Sequence, residues 1–204
     1  VEDEFDGEYR YAGAPLPALT SLDREGRVVH AGSFSQVLSR SLRLGYLVLP
    51  PALADVARAR MRGRPAAASV VAQPALAEFI ASGDFAAHVR RTRRIYARRL
   101  DALLAAGRAW SGLLDIEPTD CGLHVVVRLG ARMPAGTSDR EVAAAALQAG
   151  IAATPLSASH VLAPRRQGLL LGFAGFPEDV LVAAMDRLGR VAEGLARRAR
   201  RRSA

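Results

Sequence analysis

The chain has 204 residues, half of them apolar and about a quarter charged, the profile of a protein that buries a core as one domain or two small ones rather than of a disordered chain. No apolar run reaches the ~20 residues of a membrane-spanning helix, residues 1–8 carry five carboxylates where a secretory signal would be cationic, and the single Cys121 rules out an intrachain disulfide framework, so a reducing, cytoplasmic compartment is expected. The net charge of +8 comes entirely from arginine, with no lysine anywhere, which removes every primary amine but the N-terminus from covalent chemistry with carbonyl groups.

Val1 leads directly into a strand, so a piece of a longer protein is expected. The turn at Asp23-Arg24-Glu25-Gly26 predicts a buried strand over residues 27–31. A Ser-rich loop covers 32–41, and a second strand is predicted over 45–49. Pro50 and Pro51 stop that strand, and Pro51 suits the first turn of a helix running to about Met61. Residues 63–65 break the chain. From Ala75 to about Ala106 the pattern is helical, in two pieces parted near Ser82-Gly83. Phe85, Val89, Thr92, Tyr96, Leu100 and Leu103 form one apolar stripe in the second piece.

Strands are predicted over 113–117 and 122–128, flanking a turn at Asp120-Cys121. Ser138 caps a helix over 139–149, with Glu141 completing a capping box, and Gly150 ends it before a strand over 151–154. A buried strand follows over 169–173. Pro177 opens a last helix whose stripe is Val180, Leu181, Ala184, Met185, Leu188, Val191 and Leu195. This order describes a small α/β domain appended to the first part, with a division into residues 1–83 and 84–204. The charge is uneven: nine arginines face ten acids in residues 1–87, nineteen face ten in 88–204. The arginines of 90–99 suit a solvated face or interface ion pairs, and those of 197–202 a basic helix end matched to its dipole.

Two segments carry chemistry together. One is Val1-Glu2-Asp3-Glu4-Phe5-Asp6-Gly7-Glu8-Tyr9-Arg10-Tyr11; the other runs Gly32-Ser33-Phe34-Ser35-Gln36-Val37-Leu38-Ser39-Arg40-Ser41-Leu42-Arg43-Leu44-Gly45-Tyr46. They resemble the pyridoxal-phosphate (PLP) strands of fold-type I aminotransferases of class I/II, and most closely the aminotransferase-like domain of MocR-type (GabR-like) transcription regulators. In that family the first segment reads Glu-Asp-Asp-Tyr-Asp followed by Glu-Phe-Arg-Tyr. The second reads Gly-Thr-Phe-Ser-Lys, then Leu-Arg-Leu-Gly-Tyr. The strings 122–125 and 171–174 also look like its small-domain strands, so the resemblance spans essentially the whole chain.

The resemblance implies an α/β fold: the C-terminal part of a fold-type I large domain plus the small C-terminal α/β domain. It implies PLP as cofactor, with Asp3 against the pyridinium nitrogen, Ser33 and Ser35 donating hydroxyls to the phosphate, and Arg43 giving it a planar cation. It also implies an amine or amino-acid effector or substrate, a homodimer, and DNA contact only through a winged-helix domain outside these residues, with no membrane partner.

Three departures matter. Gln36 stands at the Schiff-base lysine, Phe5 where a tyrosine would bond the cofactor's phenolic oxygen, and Arg40 in place of a proline. Glutamine has no nucleophilic amine and no useful basicity near neutral pH, so no catalytic residue is assigned and PLP is expected to bind non-covalently at best. The alternatives are a fragment of a free-standing aminotransferase, or a basic, non-catalytic interaction or nucleic-acid-binding protein. His124 is expected in a core role, His30, His88 and His160 show no metal-ligand spacing, and Cys121 reads as an ordinary thiol.

Overall fold

The computed structural model describes all residues except 5–6, 15, 63–68, 70, 163–165 and 203–204, and the Arg202 side chain. The chain divides into two compact units, Val1–Arg93 and Arg94–Ala204, parted inside one long helix.

In the first unit, β1 (Glu2–Glu4), β2 (His30–Ser33) and β3 (Gly45–Val48) form a sheet in the order β1-β2-β3. β1 and β2 are parallel, and β3 is antiparallel to β2. Paired residues face the same way and neighbours along a strand alternate. Asp3, Ala31 and Leu47 therefore share one face with Ser33 and Gly45, while Glu2, Glu4, His30, Gly32, Tyr46 and Val48 share the other. β2 starts at His30, later than the strand predicted from residue 27. The cause is Asp23, whose carboxylate accepts hydrogen bonds from the Glu25, Arg27 and Val28 amides (3.0, 2.6 and 2.7 Å) and holds them in the turn. Gly32 in β2 leaves room for the Tyr46 ring, which lies where a side chain at position 32 would stand.

The helices of this unit are α1 (Leu19–Leu22), which the sequence did not predict, α2 (Pro51–Arg62), α3 (Ala72–Ala81) and the start of α4 (Asp84–Gly107). Gly83, at φ +84°, makes the predicted break between α3 and α4 in a conformation that glycine adopts without strain. The predicted break at 63–65 lies outside the described residues. No residue of α2 or α3 is buried. The apolar core of the unit comprises Tyr9, Val37, Leu44 and Val89, joined by His30 and Thr92.

In the second unit β4 (Leu114–Ile116), β5 (His124–Leu129), β6 (Thr154–Pro155) and β7 (Gly168–Gly172) form an antiparallel sheet in the order β4-β5-β7-β6. Val125 pairs with Leu171 and Val127 with Leu169, so one face carries a continuous buried layer. The helices α5 (Asp139–Gln148) and α6 (Glu178–Arg202) and the end of α4 complete this core with Val142, Ala146, Leu181, Met185, Leu188, Leu100 and Leu103. The Ser138–Glu141 capping box is present.

Three expectations change. The strand predicted over 151–154 shrinks to Thr154–Pro155, because the Ile151 amide is tied to the Ala146 carbonyl (2.9 Å) in the closing turn of α5. His124 is exposed rather than packed in the core, since strand alternation puts it opposite in sense to Val125. Val180 is 44% exposed, because the buried stripe of α6 runs through Leu181, Met185, Leu188, Ala192 and Ala196.

The unit is also pinned by a buried carboxylate. Asp139, fully buried, accepts hydrogen bonds from the Ser157 amide (2.8 Å), the Ser157 hydroxyl (2.6 Å) and the Gly168 amide (3.2 Å). Burial by itself raises its pKa, but the bonds from Ser157 and Gly168 outweigh that and hold it below the ordinary 3.8. Among the described residues no helix is long and apolar enough to cross a membrane.

Candidate functional site

Because β1 and β2 run parallel, their carboxyl ends lie along the same side of the sheet. Crevices outside the carboxyl ends of strands are where open α/β sheets bind ligands. Ser33 ends β2, and the turn leaving it carries Ser35 and Gln36 before returning through Arg43 to β3. The base of this turn is closed by the Phe34 amide donating to the Leu44 carbonyl (3.0 Å), with Leu44 itself buried.

Arg43 lies just before that anchor with φ +48°, the one non-glycine residue with positive φ among those described. A left-handed backbone is unfavourable for a residue with a side chain and persists only where its surroundings impose it. Here the buried Leu44 and its backbone bond do so, leaving the guanidinium exposed. The Ser33 hydroxyl accepts from the Ser35 amide (3.2 Å), which leaves its own hydrogen available to donate. Ser33, Ser35 and Gln36 are half-buried, and Asp3 is exposed on the face it shares with Ser33. Among the described residues, the side chains of Asp3, Ser35, Gln36 and Arg43 have no hydrogen-bond or ion-pair partner. A wide groove of about 750 Å³ is lined by Ala31, Gly32, Tyr46, Leu47, Arg58 and Met61, with none of Asp3, Ser33, Ser35, Gln36 and Arg43 in its lining, whereas Ser33 lines a smaller cavity of about 150 Å³ with Glu4, Glu8, Phe34, Tyr46 and Phe85. Phe5 lies outside the described residues. Together these residues offer one carboxylate, two hydroxyls, one amide and one guanidinium, a donor set that fits a phosphorylated pyridine with a basic ring nitrogen.

The opposite face holds a cluster that sequence spacing could not show, because strand pairing brings residues 2 and 30 together. His30 Nδ1 lies 2.9 Å from Glu2 Oε2, and ligand-type atoms of Glu2, Glu4 and His30 lie within 4.8 Å of one another. The Glu2 carboxylate also accepts the Leu19 and Thr20 amides (2.7 and 3.4 Å), so it ties α1 to β1. The hydrogen bond with His30, followed by that from Leu19, holds its pKa below the ordinary carboxylate value. Tyr46 stacks on His30 with centroids 5.8 Å apart. Burial, and then the charges of Glu4 and Glu8, push its phenol pKa up.

The remaining candidates have local partners. His88 Nε2 lies 2.9 Å from the Val37 carbonyl, and His160 Nδ1 3.0 Å from that of Leu156. In α4, Arg93 pairs with Glu8, Arg98 with Glu178, and Arg99 donates to the Ala174 carbonyl, while Arg90, Arg91 and Arg94 are exposed.

No family model matches the chain. It is 40% identical over 189 residues to the probable rhizopine catabolism regulatory protein MocR of Rhizobium meliloti, covering 92% of this chain and 38% of that protein. It is 32% identical to the pyridoxine biosynthesis transcriptional regulator PdxR of Corynebacterium glutamicum, covering 89% of this chain and 38% of the regulator. Among solved structures, LysN, the α-aminoadipate aminotransferase of Thermus thermophilus complexed with N-(5′-phosphopyridoxyl)-L-leucine, superposes with a TM-score of 0.82 at 28% identity, covering 95% of this chain and 50% of that one. The fold is that of the fold-type I PLP-dependent aminotransferases, of which the chain represents a C-terminal part. Within that family it is a homologue of the MocR-type transcription regulators. The chain spans about two fifths of the length of these regulators.

Proposed function

We propose that this chain serves a MocR-type regulator as the part of its aminotransferase-like domain that contacts cofactor and effector, without catalysing transamination. The observation that carries this reading is Gln36 at the lysine position of a chain that contains no lysine. When bound, PLP supplies an electron sink for amine chemistry. Asp3 holds the proton on the ring nitrogen, Ser33 and Ser35 donate to the phosphate, and Arg43 neutralises it. Gln36 hydrogen-bonds without taking a proton, because a carboxamide is neither base nor nucleophile near neutral pH. Residues 1–83 are the end of the cofactor-binding large domain, and 84–204 the connecting helix and small domain. The ligand is an amine or amino acid, the assembly a homodimer in the cytoplasm, and DNA contact is made by a winged-helix domain outside these residues.

The test is covalent. The chain is mixed with PLP, reduced with borohydride and mapped by mass spectrometry. A pyridoxyl group is expected only on the Val1 amine, the sole primary amine present. Gln36→Lys is expected to add a second pyridoxyl group, on the peptide containing position 36. If that variant gains none, the assignment of position 36 to the cofactor site is wrong.

A further inference from the structure

We infer that the site at the carboxyl ends of β1 and β2 selects the amine form of the phosphopyridine, pyridoxamine phosphate, over its aldehyde and alcohol forms. This rests on the cofactor-site reading above and deepens it.

An aldehyde gains affinity in such a site by condensing with a lysine, and that gain is closed to this chain. What stands there is the half-buried carboxamide of Gln36, with no partner among the described residues. Its carbonyl oxygen is an acceptor. A protonated aminomethyl group is a pure donor that carries charge, and hydrogen bonds with one ionised partner are roughly twice as strong as neutral ones. The aldehyde and the alcohol can make only neutral bonds to the same amide. A lysine ammonium would repel the aminomethyl cation, whereas Gln36 is neutral. On the face that carries Ser33, β1 adds the carboxylate of Asp3 at the end of the sheet from which the Gln36 turn departs, and a negative charge there favours a cationic ligand group.

The experiment compares pyridoxamine phosphate with pyridoxine phosphate by titration calorimetry on the full chain. The two share ring and phosphate, differ only in amine against hydroxyl, and neither condenses with protein. Pyridoxamine phosphate is expected to bind about tenfold more tightly, the size of one charge-assisted hydrogen bond gained over a neutral one. PLP, measured on chain whose Val1 amine is acetylated, is expected to bind as weakly as the alcohol. Gln36→Leu is expected to bring the amine-to-alcohol ratio close to one while phosphate-driven binding persists. Equal or reversed affinities on the unaltered chain overturn the amine preference and leave the cofactor site standing. Binding of neither compound overturns both.

Discussion

The unit Arg94–Ala204 and the unit Val1–Arg93 both build a small sheet with helices, yet they bury very different amounts of apolar surface. In the later unit Val125, Val127, Leu169 and Leu171 form one layer of the sheet, and Phe173, Met185 and Leu188 are almost wholly removed from water. In the earlier unit every residue of β3 is exposed, and α2 and α3 bury none of theirs. The positive φ of Arg43 and the side chains of Asp3, Ser35 and Gln36, without partners among the described residues, all belong to this earlier unit. The contrast shows how work is divided along the chain: dense packing stabilises one stretch, while another holds polar groups and backbone strain that packing alone would not favour.

Three substitutions sharpen or break this contrast. The largest effect is expected from Phe173→Ala, because the side chain is fully buried in the later unit. A loss of about 3–5 kcal/mol should appear as a lowered urea midpoint and as faster hydrogen exchange in β5 and β7. Asp139→Ala should cost about 2–3 kcal/mol, since it strands the Ser157 and Gly168 donors in the interior. The same carboxylate sets a pH dependence. Its folded pKa lies below the ordinary 3.8, so its contribution is complete above that value and is lost as pH falls through the lower folded pKa. Acid titration of the later unit should therefore steepen below about pH 4 in the unaltered chain and flatten in Asp139→Ala. The smallest effect is expected from Leu47→Ser on β3, where the side chain is 56% exposed. A change within about 0.5 kcal/mol is expected, and a loss comparable to that of Phe173→Ala would show that the earlier unit buries far more than its exposure implies.

Most helices were legible in the sequence because their causes are local. Pro51 opened α2, Gly83 parted α3 from α4, and Ser138 with Glu141 capped α5. Strand ends were less legible, since they depend on where backbone amides find partners. Asp23 delayed β2, and the Ile151 amide, held by Ala146, shortened β6. The short α1 escaped notice because its first amides are capped by Glu2, seventeen residues away.

Sequence by itself determined the chemistry available to this protein. Resemblance to the aminotransferase family marked Asp3, Ser33, Ser35, Gln36 and Arg43, and the absence of lysine decided that no side-chain amine of the chain could replace the one missing at Gln36. Tertiary structure alone decided which face each group occupies. Parallel pairing in register put Asp3 beside Ala31 on the Ser33 face, and Glu2 and Glu4 with His30 on the other. The physical reason is the period of two along a strand: a shift of one residue in pairing exchanges the faces, and that register is set by non-local backbone hydrogen bonds and by burial rather than by any local sequence signal.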